Sequence, residues 1–231
     1  MRKVLIGVQA RSTSTRLRDK CSMTIGEDTL VGQVMTQGIR AAEWLQAAST
    51  RIDVVMLIPE GDPLAHRFGR KYKTFEGPED DVLGRYFLAM EKYDADYVVR
   101  LTGDCAWMTS AMIAKCVRDA FKYNADYCSN ILVRTFMEGL DVEVISAPLL
   151  RELQLSIESM FDREHVTSAI PDMLAQGGLR QYKIHTVMSD YDLSHIKTSI
   201  DTAQEYEACN NLFAKRKEKK QEAMTYGSIS N

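Results

Sequence analysis

Along the first 130 residues, short apolar runs alternate with helical patterns. Residues 3–9 (KVLIGVQ), 53–58 (DVVMLI), 96–101 (DYVVRL) and 126–129 (DYCS) are compact, rich in β-branched and aromatic residues, and close on polar turns. Continuous runs of this kind suit strands buried on both faces of a parallel sheet. Between them, Leu30, Val31, Val34, Met35 and Ile39 recur at helical spacing. So do Val82, Leu83, Tyr86, Phe87 and Met90, and then Met112, Ile113, Cys116, Val117, Ala120 and Phe121. Each set forms one apolar stripe of an amphipathic helix. Asp28 or Thr29, Asp80, and Thr109 or Ser110 precede the three stripes and are of N-cap type. The order βαβαβα predicts an α/β sheet with right-handed crossovers.

After about residue 130 the rhythm changes. Residues 139–146 (GLDVEVIS) read as a further strand, and Ala147-Pro148 opens a helix to about 158. Residues 162–175 read as another helix, interrupted in its pattern by Pro171. Residues 182–187 and 196–201 are strand-like, and 202–218 form a terminal helix ending in KRKEKK. That basic run is of the kind a helix dipole favours at its C-terminal end. The organisation expected is one domain over 1–220, with 130–180 as an insertion or dimer-contact region and 221–231 as a disordered tail.

Composition narrows the class. The chain has 231 residues, 45% hydrophobic and 26% charged, with a formal net charge of −3. That balance suits a protein with a real core and argues against a general nucleic-acid binder, which carries a broad basic surface. No stretch approaches the roughly 20 apolar residues of a membrane helix. The five cysteines are scattered without a CxxC pair. They suit reduced thiols in a cytoplasmic protein better than a zinc site or a disulfide framework. The short run after Met1-Arg2-Lys3 is not the apolar segment of a signal peptide.

Three predicted strand ends carry unusual chemistry. Ligands of open α/β sheets sit at the carboxyl ends of the strands. The first strand runs into VQARSTSTRLRDK (8–20), with Arg11, Arg16, Arg18 and Lys20 and four consecutive hydroxyl residues, Ser12 to Thr15, but no glycine. A guanidinium matches phosphate geometry, so Arg11 and Arg16 are the natural clamps and Lys20 a point charge. The second end is LTGDC (101–105), which places Asp104 near the sheet edge; taken alone, a Gly-Asp pair is equally a turn former. The third is SIDT (199–202), where Asp201 or Thr202 would also serve as a helix cap. Together, cations and two carboxylates are what a Mg²⁺-triphosphate requires, because that metal takes one or two carboxylates with phosphate and water.

These residues resemble a known pattern. QARSTSTRLRDK is similar to the signature QAR-x-G-S-T-R-L-P-x-K of the cytidylyltransferases that make CMP-activated sugars. The branch it looks like is the spore-coat-polysaccharide type, related to the CMP-Kdo and CMP-sialic acid synthetases. The likeness continues in order through EDDVLGRY (79–86), ADYVVRLTGDC (95–105), EGLDVEV (138–144), REHVT (163–167) and IKTSIDTAQEYE (196–207). It implies a Rossmann-like nucleotidyltransferase fold, a mostly parallel sheet flanked by helices, with CTP over the strand ends. By the same resemblance Arg11, Ser14, Arg16 and Lys20 hold the triphosphate, with Ser12 and Thr13 in the same loop. Asp104 and Asp201 bind Mg²⁺ (or Mn²⁺), and Arg11, Lys20 and Asp104 are the catalytic candidates. Glu79, Asp80, Arg85 and Thr102 belong to the nucleotide side. Asp141, Glu143, Arg163, Glu164 and His165 match acceptor-side positions, and Trp107 is an aromatic candidate for the same pocket. His165 is equally of a type that serves as a structural hydrogen-bonder. The implied partners are CTP, a small-molecule acceptor and a second copy of the chain, with neither nucleic acid nor membrane.

The chain also departs from the signature. Thr13 stands where the relatives have glycine, Arg18-Asp19 where they have Pro-Gly, and GDCAWMT lacks the usual proline. Two alternatives therefore stay open: a nucleotidyltransferase using another triphosphate, and a nucleotide-binding protein with weakened catalysis. An NAD-dependent oxidoreductase is disfavoured, since no GxGxxG follows the first strand.

Overall fold

The structure is a computed structural model, describing residues 1–46 and 50–227, with side chains beyond 217 not described. Seven strands form a sheet in the order β5-β4-β1-β6-β8-β7-β9. They are β1 (Arg2–Gln9), β4 (Thr50–Pro59), β5 (Thr74–Gly77), β6 (Tyr97–Thr102), β7 (Tyr127–Ser129), β8 (Glu143–Ser146) and β9 (Ile184–Thr186). A separate hairpin pairs β2 (Thr24–Ile25) with β3 (Asp28–Thr29) across Gly26. In the sheet β1 pairs in parallel with both β4 and β6, and β5 extends β4 in parallel. β8 runs antiparallel to β6 and β7, and β9 is parallel to β7. The fold is α/β with a mostly parallel sheet, as the alternation of the sequence requires.

The parallel strands carry apolar residues on both faces because both faces are covered. Val4, Ile6 and Val8 of β1 pack with α1 (Leu30–Leu45) and α4 (Ser110–Tyr123). Leu5, pointing the other way, joins α3 (Val82–Tyr93) and α5 (Ala147–Ser156). Gly7 is where β1 admits Tyr86: a Cβ there would lie 2.7 Å from the ring, whose hydroxyl donates to the Gly7 and Leu101 carbonyls. Thr29, Asp81 and Thr109 cap α1, α3 and α4 through their side chains. The α3 cap is thus Asp81, one residue after the expected Asp80, because its carboxylate reaches the Gly84 amide.

The second half of the chain departs most from expectation. Only Glu143–Ser146 of the 139–146 segment forms a strand. The expected 162–175 helix is two helices, α6 (Met160–His165) and α7 (Ile170–Ala175), divided at Val166, whose φ of 65° no helix accommodates. Pro171 then sits in the first turn of α7, where its missing N–H costs nothing. Residues 196–201 form no strand beyond one bridge from Lys197 to Glu138. Two further elements, α2 (Leu64–Phe68) and β5, are too short to show a period in the sequence. The terminal helix α8 runs Ala203–Gly227, past the expected start of the tail at 221. Residues 228–231 of that tail lie outside the described residues. Among the described residues no helix is long and apolar enough to cross a membrane.

Candidate active site

Parallel strands deliver their carboxyl ends to one edge, and there β1 and β6 stop side by side, with Gln9 opposite Thr102. β8, running the other way, brings its amino-terminal approach to that same edge. The loop after β1, the turn after β6, residues 138–141 and the segment before α8 therefore converge. They enclose a cleft of about 360 Å³. Arg11, Ser14, Arg16, Lys20, Glu79, Arg85, Thr102, Asp104, Asp141, Glu164, His165 and Asp201 all line it.

Its centre is Lys20, held by a short 3-10 turn over Lys20–Ser22. The ammonium donates to Asp104 Oδ2 at 2.8 Å, the Ile200 carbonyl at 2.9 Å and Asp201 Oδ1 at 3.0 Å. Burial opposes its charge, but the two carboxylates outweigh that and hold its pKa above the ordinary value. Asp201 is likewise set against burial by Lys20 and Lys197, which together hold its carboxyl below the usual range. Arg16 reaches Asp201 Oδ1 at 3.1 Å from a largely exposed side chain.

Asp201 is fixed by the helix that follows it. Thr202 and Glu205 form a reciprocal capping box at the start of α8: the Thr202 amide donates to Glu205 Oε2, and the Glu205 amide to Thr202 Oγ1. The Asp201 amide shares Glu205 Oε2 at 2.7 Å. Of the two cap candidates, Thr202 is the cap, and Asp201 keeps its carboxylate for the cleft.

The β1–α1 loop is pinned by acids rather than by glycine. Ser12 donates its amide and hydroxyl to Asp62, Thr13 donates its hydroxyl to Glu79 at 2.8 Å, and the Asp19 amide closes the loop on the Ser12 carbonyl. Asp19 has φ of 54°, the left-handed region glycine occupies freely and Asp tolerates better than most residues. Asp19 also pairs with Arg67 at 2.8 Å. Ser12 and Thr13 are thus tied to Asp62 and Glu79 and are outside the cleft lining, to which the loop contributes Arg11, Ser14, Thr15, Arg16 and Lys20.

Arg85 lies 2% exposed at the cleft floor and donates to the carbonyls of Pro78 and Glu79. Burial pulls its pKa down. Arg11 spans to the far wall, donating to Glu164 Oε1 at 3.1 Å. On that wall Arg134 grips Asp141 with two hydrogen bonds, at 2.8 and 3.0 Å. Glu138 Oε1 accepts from Ser199 Oγ. Gly139 makes this approach possible: at φ of 99° it lies so close to residues 198–199 that a Cβ would sit 2.5 Å from the Ser199 amide.

Besides Ser12 and Thr13, four expected site residues are outside the cleft lining. Glu143 is 1% exposed beneath the cleft, paired with Arg100 and accepting from the Tyr127 hydroxyl. Arg163 turns back from α6 to Asp81, Gln154 and the Ile157 carbonyl, clasping α3 to α5. Trp107 packs on Phe213 of α8, ring centroids 4.5 Å apart, in a cluster with Ile25 and Ile200. Asp80 is exposed and outside the lining. His165 does line the cleft, its ring against Phe161. Glu138, Ser199, Gln9 and Arg100 also line it and were not candidates. Glu138 and Ser199 lay within the motifs EGLDVEV and SIDT, so the signal was present without a role attached. Asp62, which anchors the loop, had none.

This geometry agrees with the comparisons. The chain matches the family described as cytidylyltransferase over residues 5–228. It belongs to that family. The spore coat polysaccharide biosynthesis protein SpsF of Bacillus subtilis is 25% identical over 223 residues, 95% of this chain and 90% of that protein. A cytidylyltransferase structure from Leptospira borgpetersenii superposes with a TM-score of 0.77 at 27% identity, over 90% of this chain and 84% of that one. The CMP:2-keto-3-deoxy-manno-octonic acid synthetase, solved with CTP, shares the fold at a TM-score of 0.66 and 17% identity, covering 93% and 99%. The cytidylyltransferase is therefore a nucleotidyltransferase enzyme.

Proposed function

We propose that the enzyme transfers CMP from CTP to an acidic sugar or a related polyol or phospho-acceptor, releasing pyrophosphate. The observation that carries this reading is the meeting of Arg11, Arg16 and Lys20 with Asp104 and Asp201 in one cleft at the strand ends. An acceptor oxygen attacks the α-phosphorus in line, giving up to solvent any proton it carries; the bond from that phosphorus to the bridging oxygen breaks, and pyrophosphate leaves with the electron pair. Such transfer depends mainly on positioning and charge neutralisation. Arg11 and Arg16 face the triphosphate as bidentate donors and Lys20 as a point charge. Arg85 supplies a buried positive charge with only carbonyl partners among its described contacts. Glu138, Asp141, Glu164 and His165 line the acceptor side and orient hydroxyl groups there.

The donor set fits a hard divalent ion, Mg²⁺ or Mn²⁺. Asp104 and Asp201 present carboxylate oxygens to a shared cation, and no cluster of three or more His, Cys, Asp or Glu stands ready for a metal among the described residues. Two carboxylates completed by phosphate oxygens are the usual setting for Mg²⁺. Asp104 and Asp201 would hold the metal, which neutralises charge on the phosphates when bound. The exposed Leu155, Met160 and Phe161 support the 130–180 region as the contact of a homodimer, and the enzyme is read as cytoplasmic.

Pyrophosphate release is the test, measured with each of the four nucleoside triphosphates against sugar acids, alditols and alditol phosphates. CTP should be turned over in preference to ATP, GTP and UTP, and only with Mg²⁺ or Mn²⁺ present. Equal use of another triphosphate would shift the reading to that nucleotide. Metal-independent turnover would remove Asp104 and Asp201 from their roles.

A further inference from the structure

An ammonium group has three N–H donors, and Lys20 uses all three on the protein. They go to the carboxylates of Asp104 and Asp201 and to the Ile200 carbonyl, all within 3.0 Å. The side chain is only 12% exposed, whereas Arg16, also on Asp201, is 66% exposed and contributes little to holding it. Lys20 thus occupies the meeting point of the two carboxylates as a built-in counter-ion. Without it Asp104 would lose its one ion pair among the described residues and would face Asp201, which would keep Lys197 and Arg16, an arrangement that is costly unless another cation or a proton intervenes.

We propose that Lys20 makes metal entry conditional on the triphosphate. This rests on the metal assignment of the proposed function. A free divalent ion competes with the ammonium for the same oxygens and leaves that ammonium with the Ile200 carbonyl alone in a half-closed cleft. A triphosphate changes the balance, because its oxygens accept from Lys20 and release both carboxylates to the ion that travels with the nucleotide. Metal and nucleotide are then coupled through an exchange of partners at Lys20. The enzyme does not fill its site with metal in the absence of substrate.

The test is Mn²⁺ binding in the absence of nucleotide, followed by electron paramagnetic resonance of the free ion, for wild type, Lys20→Met and Lys20→Arg. Lys20→Met should bind Mn²⁺ alone about tenfold more tightly than wild type or more, within the usual range of coupling between sites. Lys20→Arg, which keeps a counter-charge, should restore weak binding. A variant that failed to fold would bind more weakly, not more tightly, and far-ultraviolet circular dichroism identifies it. Mn²⁺ binding that is unchanged or weaker in folded Lys20→Met overturns the proposal. Turnover of CTP by wild type is measured separately, so loss of the cytidylyltransferase reading would be seen there and not in this titration.

Discussion

The two walls of the cleft are built on different plans. The wall of β1 and β6 takes its groups from the loop after β1, the turn after β6 and the segment that enters α8, and a dense set of ion pairs fixes their side chains. Lys20, Asp104 and Asp201 share one network there, and Thr202 and Glu205 lock its far end. The opposite wall comes from the loop 138–141 and from α6, a helix of six residues. Its charged groups are held singly, Asp141 by Arg134 and Glu164 by Arg11. We read the first wall as the one pre-organised for the proposed metal-triphosphate. Among the described residues the second is joined to the first by a single ion pair, Arg11 with Glu164, and we read it as the acceptor side.

The comparison can be broken most sharply at Asp104. Asp104→Asn should lower kcat/KM for CTP by roughly 10³-fold, on the scale of removing one group that stabilises developing charge, with the fold retained by circular dichroism. A loss of only a few-fold would mean that the first wall is not the reacting wall. Next in size is Glu143→Gln beneath the cleft. It leaves the Arg100 guanidinium buried without its carboxylate, so denaturant unfolding should show a loss of about 3–5 kcal/mol. If instead acceptor KM rose at constant stability, Glu143 would belong to the acceptor site after all.

Arg11 joins the two walls, and its pair with Glu164 separates their roles. Arg11→Met should raise the KM for CTP by about 10–100-fold, the scale of a charged hydrogen bond. Glu164→Gln frees Arg11, so it should leave the CTP KM unchanged or lower while raising that of the acceptor. Parallel behaviour of the two variants would unite what we have divided. The smallest effect is in the acid limb of stability. The carboxyl of Asp201 is depressed below its ordinary 3.8 in the folded state. Its stabilisation is therefore complete above that value and is lost as pH falls through the folded value, where the unfolded chain binds the proton more readily. Urea unfolding between about pH 5 and pH 2 should decline less steeply for Asp201→Asn than for wild type.

The same contrast explains what was legible in the sequence. Strand ends could be read because continuous apolar runs announce the strands and the residues that leave them have only one edge to go to. Arg11, Lys20 and Asp104 were found in this way; Asp201 was read at the end of a strand over 196–201 that does not form, and it reaches the same cleft from the start of α8. Arg163, Glu164 and His165 are consecutive on α6, and successive helical residues point about 100° apart. Three neighbours in sequence cannot share one wall: Glu164 and His165 face the cleft and Arg163 turns to Asp81. Glu143 stands two residues beyond Asp141, yet the chain enters β8 between them, and only Asp141 remains at the rim. Trp107 follows a site carboxylate by three residues but is claimed by Phe213, more than a hundred positions away. No local pattern encodes that contact. The β1–α1 loop holds its shape without glycine because Asp62 and Glu79 anchor it, and both lie far from it in sequence.

The central claim is that the wall of Arg11, Arg16, Lys20, Asp104 and Asp201 is a metal-triphosphate site. Calorimetric affinity for CTP, measured with and without Mg²⁺, tests it most directly when wild type is set beside the Asp104→Asn/Asp201→Asn double variant. Mg²⁺ should tighten CTP binding to wild type by about tenfold or more and leave the double variant's affinity unimproved. An equal enhancement by Mg²⁺ in both proteins would contradict the account.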